Sequence, residues 1–377
     1  FDNCNVKLNN FNFTINSGIT TTNSILNISN SNVSNLSTSI FKCVNTFTKN
    51  AITVNNSTLH LTNTDNTAAY GGNLIAVNST IDLYTVSIGA SIQYDGTGSI
   101  LDLNNTTINL SNFHLSGNAL STAIKSINNS NIHLHGCQIT VAGGAGVSSI
   151  HLNSSSLKIG DTTINLSVAQ TVPNILIENG SSFDIGVIGD TSNINCGTNT
   201  ISAVLVDKNS SCSLLETQIN TDSIRCVEVR DDSNFYCQGS ITGITFITAT
   251  QTVDTSNEVV LVTQNSKATL NNVRLAGNAA GLPTGIRVSN LSNLHIKQVS
   301  SINIANDNAV VLRWNSKMHA TDIGVTSTFS DGFYVGTNTY NWSVIKASPF
   351  IIPTGLNLQG TTEVTWNSSE GCVATYN

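Results

Sequence analysis

Residues 128–135 read Asn-Asn-Ser-Asn-Ile-His-Leu-His, a polar bend followed by two apolar residues with one residue between them. This order of a polar bend and an apolar pair recurs along most of the chain. Successive bends lie mostly about 25 residues apart, which is the size of one structural repeat rather than of a domain. The bends of the repeat are Asn30-Ser31, Asn56-Ser57, Asn78-Ser79, Asn105-Thr106, Asn129-Ser130, Ser154-Ser155, Gly180-Ser181, Asn209-Ser210, Asp232-Ser233, Asn265-Ser266, Leu291-Ser292, Asn315-Ser316 and Thr337-Asn338.

The spacing of apolar residues inside each repeat predicts strands. Apolar residues alternate after the bend, as at Ile132 and Leu134, and also before it, as at Val204 and Val206. Each repeat is therefore predicted to form two short strands around a corner, with strands of successive repeats paired in parallel about 4.8 Å apart. We predict an all-β fold, a right-handed parallel β-helix of about 13 turns with a period of about 25 residues.

The residue types at the corners and after them fit this coil. Asn tolerates the left-handed backbone conformation of a sharp bend, and amides stacked turn upon turn can hydrogen-bond in a ladder. Gly180 and Asp232 suit the same position. The first apolar residue after each corner is predicted to stack into an inward column, which contains Leu59, Ile81, Ile108, Ile132, Leu157, Phe183, Cys212 and Phe235.

With its repeated Asn corner and stacked apolar pairs, the chain resembles the right-handed parallel β-helix superfamily. That superfamily includes pectate-lyase-like enzymes, phage tailspikes and fibres, and bacterial autotransporter passengers. The resemblance covers residues 25–344, is closest to viral and phage tailspike or fibre shafts, and implies a left-handed Asn at each tight bend. Residues 1–24 are predicted to be an N-terminal cap, and residues 345–377 a C-terminal cap or the start of a further element.

Composition and charge exclude several partners. The chain of 377 residues is 39% hydrophobic but only 10% charged, and its net charge of −7 includes no basic run, so nucleic acid is not an expected partner. We expect no membrane insertion by this segment, because no apolar run approaches the roughly 18 to 20 residues that span a bilayer. The chain opens at Phe1, which predicts a processed protein or one segment of a longer polypeptide.

The eight cysteines show no metal-binding spacing. Without a Cys-x-x-Cys pair or a Cys/His cluster, they are predicted to be buried thiols that fill small core positions. They are Cys4, Cys43, Cys137, Cys196, Cys212, Cys226, Cys237 and Cys372.

One pair of carboxylates is a candidate catalytic site. Asp331-Gly332-Phe333 resembles the Asp-Gly-aromatic step that carries a catalytic Asp in polygalacturonase-like glycosidases, and Asp307 lies about one turn upstream. If the two were neighbours, a separation of about 5 Å would suit a retaining acid and nucleophile pair. The Asp-Asp, Gly-His-Gly and Arg-x-Lys elements of that family have no counterpart here. The chain is therefore more consistent with a protein that is not an enzyme, or otherwise with a glycoside hydrolase or polysaccharide lyase.

Two further groups of polar residues stand out. The densest cluster of charged residues comprises Arg225, Glu228, Arg230, Asp231 and Asp232. We interpret this cluster as a surface salt-bridge network. The alternative is a lyase site that uses an Arg as its base.

The histidines sit mainly at outward positions of the predicted strands. His133 and His135 share one outward face and could bind a metal weakly, although solvent-exposed histidine is the expected state. We expect no metal and no cofactor.

These features predict a structural or receptor-binding fibre or tailspike-like surface protein of a virus or phage. Its expected location is the virion surface or the extracellular space, and it would form a homotrimer. The expected partners are a cell-surface glycan or receptor and other virion or surface-assembly proteins. Two alternatives stay open: a secreted bacterial adhesin of the autotransporter type, and a polysaccharide depolymerase that uses Asp307 and Asp331.

Overall fold

The structure, a computed structural model, is an all-β parallel solenoid. The residues that it describes are 5–10, 12–15, 19–22, 25–29, 32–35, 41–44, 50–63, 69–71, 73–85, 90–94, 98–117, 121–141, 147–166, 171–186, 192–197, 202–221, 225–239, 245–249, 258–277, 284–297, 301–304, 310–321, 333–335, 364–367 and 373–376. Every regular element among these residues is a β-strand. The chain divides into two compact units: Phe1–Ile175 with Ser181–Asp184, and Leu176–Gly180 with Ile185–Asn377.

The strands of the first unit are short, mostly four to seven residues. They are β1 Asn5–Asn9, β2 Asn12–Ile15, β3 Ile19–Thr22, β4 Ile25–Ser29, β5 Asn32–Asn35, β6 Phe41–Val44, β7 Asn50–Asn55, β8 Thr58–Asn63, β9 Ala69–Gly71, β10 Asn73–Val77, β11 Thr80–Thr85, β12 Ala90–Tyr94, β13 Gly98–Asn104, β14 Thr107–Ser111, β15 Phe113–Gly117, β16 Ser121–Ile127, β17 Asn131–His135, β18 Gln138–Val141, β19 Ile150–Asn153, β20 Ser156–Gly160 and β21 Thr163–Leu166.

The remaining strands continue the same order. They are β22 Ile175–Glu178, β23 Ser182–Ile185, β24 Ser192–Cys196, β25 Ser202–Val206, β26 Ser211–Leu215, β27 Thr217–Thr221, β28 Arg225–Val229, β29 Asn234–Gln238, β30 Thr245–Ala249, β31 Glu258–Val262, β32 Lys267–Asn271, β33 Val273–Gly277, β34 Thr284–Val288, β35 Asn293–Lys297, β36 Ser301–Ile304, β37 Val310–Leu312, β38 Lys317–Thr321, β39 Phe333–Val335, β40 Val364–Asn367 and β41 Val373–Tyr376.

Every third strand is a neighbour, so one turn of the coil contains three strands. In the first unit, sheet I has the order β1-β4-β7-β10-β13-β16-β19, sheet II begins β2-β5-β8, and sheet III begins β3-β6-β9. In the second unit, sheet I has the order β22-β25-β28-β31-β34-β37-β39, sheet II begins β26-β29-β32, and sheet III begins β24-β27-β30. Pairing is parallel throughout, except that β40 and β41 are antiparallel.

The fold class and the period of about 25 residues are confirmed. Each unit has about seven turns of its own, which differs from the predicted single count of about 13. Two strands per turn were predicted and three are present, because the third strand follows a second corner that the Asn-Ser pattern does not mark. The right-handed sense of the coil and the capping roles of residues 1–24 and 345–377 stay predictions.

The corner between sheets I and II has the predicted left-handed backbone. Asn56 and Asn105 both have a φ of 47°, and the predicted substitutes Gly180 and Asp232 have φ values of 74° and 61°. The amide ladder is also present, because Asn78 Nδ2 donates to Asn56 Oδ1 at 3.1 Å and Asn105 Nδ2 donates to Asn78 Oδ1 at 2.9 Å. The Asn positions therefore mark the bends that they were predicted to mark.

A second left-handed corner joins sheet II to sheet III. Asn112, Asp161 and Asn272 have φ values of 62°, 46° and 53° there. Gly136, with a φ of 59°, occupies the same corner between β17 and β18, and a Cβ at this residue would lie 2.3 Å from Asn112 Oδ1. Glycine leaves room at that position for the Asn112 amide, which would have to shift to admit a side chain.

Buried hydroxyl groups connect the corners of successive turns. Ser210, Ser233, Ser266 and Ser292 follow the left-handed residues of four corners and are at most 1% exposed. The backbone N–H groups of Ser210, Ser233 and Ser266 each donate to the hydroxyl of the next serine in this series, at 3.2, 3.2 and 3.1 Å. A corner hydroxyl therefore satisfies a buried backbone donor that lies outside the β-ladders.

The core consists of apolar columns that run through each unit. In the first unit Ile81 pairs in register with Leu59 and Ile108, and all three are at most 1% exposed. In the second unit Phe235 lies in register with Cys212 and Ala268. All eight residues of the predicted inward column are buried, which confirms which face of sheet II points inward.

Candidate functional site

The predicted carboxylate pair lies outside the described residues. Asp307 and Asp331 both fall in segments that the structure does not describe. Their proposed acid and nucleophile roles stay predictions.

The predicted charge cluster lies on sheet I of the second unit. Arg225 begins β28, Glu228 lies near its end, and Arg230 follows it. Glu228 points outward between Leu205 of β25 and Leu261 of β31. The salt-bridge network is present but differs from a surface network, because the side chain of Glu228 is only 8% exposed. Asp231 and Asp232 form the left-handed corner that follows.

Glu228 is the centre of this network. Its Oε2 atom accepts a hydrogen bond from Ser202 Oγ at 2.6 Å and lies 3.4 Å from Arg225 Nη1. Its Oε1 atom lies 3.5 Å from Arg230 Nη1. Arg230 Nη2 in turn lies 3.0 Å from Oδ2 of Asp207, whose side chain is 4% exposed. Two guanidinium groups therefore cover two buried carboxylates.

A third buried carboxylate extends the network along the sheet. Glu258, at the start of β31, has a side chain that is 1% exposed. Its Oε2 atom accepts from Arg225 Nε at 2.9 Å, and its Oε1 atom lies 2.5 Å from Arg287 Nη1 of β34. Three carboxylates and three guanidinium groups are balanced in charge, as buried ions require.

The electrostatics keep the Asp207–Arg230 pair ionised. Burial by itself would raise the pKa of Asp207, but the hydrogen bond and the charge of Arg230 outweigh it and lower this pKa below its ordinary value. The hydrogen bond to Asp207 raises the pKa of Arg230. The ion pair with Asp207 holds Arg230 within the network, and the alternative of a lyase that uses Arg as its base stays a prediction. The network fits a clamp that joins four neighbouring strands, β25, β28, β31 and β34.

A pocket on sheet II of the second unit is the second candidate site. Its volume is about 380 Å³, in the range of small-ligand sites. Three consecutive residues from each of three adjacent strands line it: Lys267, Ala268 and Thr269 of β32, Asn293, Leu294 and His295 of β35, and Lys317, Met318 and His319 of β38. Of these, Ala268, Leu294 and Met318 are buried toward the core. We call this site the basic pocket.

Two histidines lie side by side in the basic pocket. His295 and His319 are register partners on neighbouring strands, and their ring centroids are 4.9 Å apart. Burial lowers the pKa of His295 below its ordinary value, and the positive charges of Lys297 and His319 lower it further. His295 is therefore a neutral hydrogen-bonding group at neutral pH.

Two large apolar side chains are exposed at the corner that precedes the pocket strands. Leu291, before β35, is 60% exposed, and Trp314, before β38, is 51% exposed. Both have left-handed backbones, with φ values of 63° and 51°. The N–H of Leu291 donates to the carbonyl of Trp314 at 3.0 Å, so the two lie on adjacent turns.

The sequence did not predict the basic pocket, although a signal was present. His295 and His319 each lie three residues after a corner serine, at Ser292 and Ser316. Aligning the repeats on that serine places both imidazoles in one outward column.

The predicted pair His133 and His135 is exposed on β17, as expected. Within the described ranges, no group of three or more His, Cys, Asp or Glu side chains is arranged to hold a metal.

Five cysteines have side chains that the structure describes, and all five are buried. Cys137, Cys196, Cys212, Cys226 and Cys237 are free thiols in the core, which confirms their predicted state. Burial raises the pKa of Cys137 to about 11 and that of Cys196 to about 12. Cys4, Cys372 and the side chain of Cys43 lie outside what the structure describes, so their predicted burial stays a prediction.

The part of the chain that the structure describes contains no helix that is long and apolar enough to cross a membrane. No protein-family model matches the chain, and no curated protein or solved structure is similar to it.

Proposed function

We propose that this chain is the β-solenoid segment of a virus or phage surface protein, a fibre or tailspike-like protein that presents a glycan- or receptor-binding surface. It acts at the virion surface or in the extracellular space, as a homotrimer joined to other virion or surface-assembly proteins. The Asn corners support, as part of this proposal, a place in the right-handed parallel β-helix superfamily.

The observation that supports this proposal is a rigid outward surface of hydrogen-bonded polar side chains. Asn220 Nδ2 donates to Asn195 Oδ1 at 3.2 Å, and Ser156 Oγ donates to Asn131 Oδ1 at 2.6 Å. These groups belong to neighbouring turns, and the buried columns beneath them fix the positions of their strands. Amides and hydroxyls held in fixed positions suit hydroxyl-rich ligands, because little side-chain entropy is lost on binding.

The proposal is tested by binding and mass measurements on the purified chain of residues 1–377. We expect a trimer in sedimentation equilibrium and selective binding to a subset of glycans on an array or to host cells. A strict monomer without affinity for any glycan or cell would contradict the proposal. Release of oligosaccharides from a host capsule, lost in an Asp331→Asn variant, would instead favour the depolymerase.

A further inference from the structure

Positive charge is concentrated on the turns that carry the basic pocket. Residues 258–322 contain six Lys and Arg residues and three acidic residues, Glu258, Asp307 and Asp322, whereas the whole chain has a net charge of −7. Local charge of one sign attracts ligands of the opposite sign. These turns therefore favour an anion on an otherwise acidic protein.

The two lysines of the pocket are available for such an anion. Lys267 and Lys317 are exposed and begin β32 and β38, which lie on either side of β35. Two strand spacings separate their backbones by roughly 10 Å. The ion pairs among the described residues involve neither lysine. This separation suits a ligand that carries more than one anionic group.

The groups between the lysines are polar and mostly neutral. Asn293 lies in register with both lysines, and Thr269 and His295 occupy the next outward row. Amide, hydroxyl and neutral imidazole groups both donate and accept hydrogen bonds, as a ligand with hydroxyl groups requires. The pocket therefore combines cation sites with hydroxyl sites.

The exposed corner beside the pocket supplies apolar surface. The left-handed conformation is unfavourable for an ordinary side chain, and Leu291 and Trp314 both adopt it while half or more exposed. Strained and exposed residues of this kind cluster at ligand sites, where a flat apolar side chain can lie against a sugar ring.

We propose that the basic pocket binds an acidic saccharide, one whose sugar units carry carboxylate or sulfate groups. Lys267 and Lys317 bind the anionic groups, Asn293 and the two imidazoles bind hydroxyls, and Trp314 packs against a ring at the corner. This inference rests on the proposed glycan-binding function and names its ligand class. Nucleic acid fits less well, because the described part of this face offers three lysines, Lys267, Lys297 and Lys317, and no basic run that could follow a row of phosphates.

The test measures binding of the whole chain by calorimetry to four probes of similar length. They are an oligogalacturonate with carboxylates, a heparin-derived sulfated oligosaccharide, a neutral maltooligosaccharide and a single-stranded oligonucleotide. We expect one of the two acidic saccharides to bind at least about tenfold more tightly than the neutral one, and the better of the two identifies the anionic group. The double variant Lys267→Gln/Lys317→Gln should lose about tenfold or more of that affinity.

The matched control is Lys158→Gln, because Lys158 is an exposed lysine on the outward face of sheet II in the first unit. Its affinity should equal that of the unaltered chain, and circular dichroism verifies that each variant is folded. A second variant, Trp314→Asn, should weaken saccharide binding while both lysines remain.

Each other outcome overturns the inference in a distinguishable way. An equal loss in Lys158→Gln means that binding is nonspecific charge attraction. Neutral-glycan binding that the double variant leaves unchanged overturns the pocket assignment but leaves the proposed function standing. Tighter binding of the oligonucleotide favours nucleic acid. Failure to bind any saccharide, on this panel and on the array, overturns the inference, whereas the proposed function is contradicted only if the chain is also a strict monomer that does not bind host cells.

Discussion

The backbone N–H of Ser210 donates to the side-chain hydroxyl of Ser233, 23 residues further along the chain, at 3.2 Å. The Ser233 hydroxyl in turn lies 3.4 Å from the carbonyl oxygen of Asp231, to which it donates. A single buried oxygen thus closes its own corner and satisfies a donor of the preceding turn. The Asn-Ser pair therefore has two functions, since the left-handed residue bends the chain and the serine connects consecutive bends.

Removing this hydroxyl should weaken the second unit. In Ser233→Ala the N–H of Ser210 is buried without a partner, so we expect the free energy of unfolding to fall by about 1 to 2 kcal/mol. Urea unfolding followed by circular dichroism measures the change. The control is Ser213→Ala, on the outward face of β26, which should change stability by less than about 0.5 kcal/mol. Equal losses in the two variants would rule out a special role for the corner serine.

Breaking the charge network should have a larger effect. In Glu258→Ala, Arg225 and Arg287 lose the buried carboxylate that they share, and we expect a loss of about 3 to 5 kcal/mol. The comparison variant is Asp102→Asn. Asp102 pairs with Lys125 at 3.6 Å, where Lys125 is exposed and Asp102 is only partly buried, so the expected loss there is below about 1 kcal/mol. A tolerated Glu258→Ala would show that the network is not a clamp.

Acid should weaken the same network through Asp207. Its folded-state pKa lies below its ordinary value of 3.8, so its stabilising contribution is complete above that value and is lost as the pH falls through the folded pKa. Asp207→Asn should therefore be less stable than the unaltered chain at pH 7, and the difference should shrink below about pH 4. Urea unfolding at a series of pH values measures it. A difference that stays constant down to pH 2 would refute the proposed ionic contribution.

The five described cysteines should resist alkylation in the folded chain. Their burial and the raised pKa values of Cys137 and Cys196, about 11 and about 12, leave almost no accessible thiolate at pH 8. Peptide mapping after iodoacetamide treatment should find them unmodified in buffer and fully modified in denaturant. Rapid modification of any of the five in buffer would contradict their core positions.

The left-handed corner at Leu291 should become more stable with a residue that suits its backbone, which urea unfolding followed by circular dichroism measures. Leu291→Asn replaces an exposed side chain that is poorly suited to its left-handed backbone, so we expect stability to rise by about 1 kcal/mol. The reciprocal variant, Asn315→Leu, places the same misfit at an equivalent corner and should lower stability by a similar amount. A Leu291→Asn variant that unfolds more easily would show that Leu291 packs against something essential to the fold.

The fold was largely predictable because the corner repeats with the same residues. Asn105 and Ile108 fixed a bend and an inward face, and both are where the pattern placed them. The third strand was missed, although the step from Leu110 to Phe113 marks its corner. Leu110 and Phe113 are three positions apart, whereas inward residues within a strand are two positions apart. The extra residue is the left-handed Asn112.

The partners within the sites were harder to predict. Arg225 and Glu258 are separated by 33 residues, whereas Ser202 and Glu228 are separated by 26. The connecting segments differ in length, so sequence spacing alone does not show which side chains of neighbouring turns meet. The charge cluster was therefore recognised at Arg225 and Glu228, but its buried partners were not.

Disulfide cross-linking between neighbouring turns tests the stacked coil most directly. His133 and Lys158 are exposed register partners on β17 and β20, whereas His151 is only seven residues from Lys158 but belongs to sheet I. Adjacent strands fall within the Cα separation that a disulfide spans. The coil predicts rapid oxidation of His133→Cys/Lys158→Cys and little of His151→Cys/Lys158→Cys, whereas the reverse preference would contradict the parallel stacking on which the sites depend.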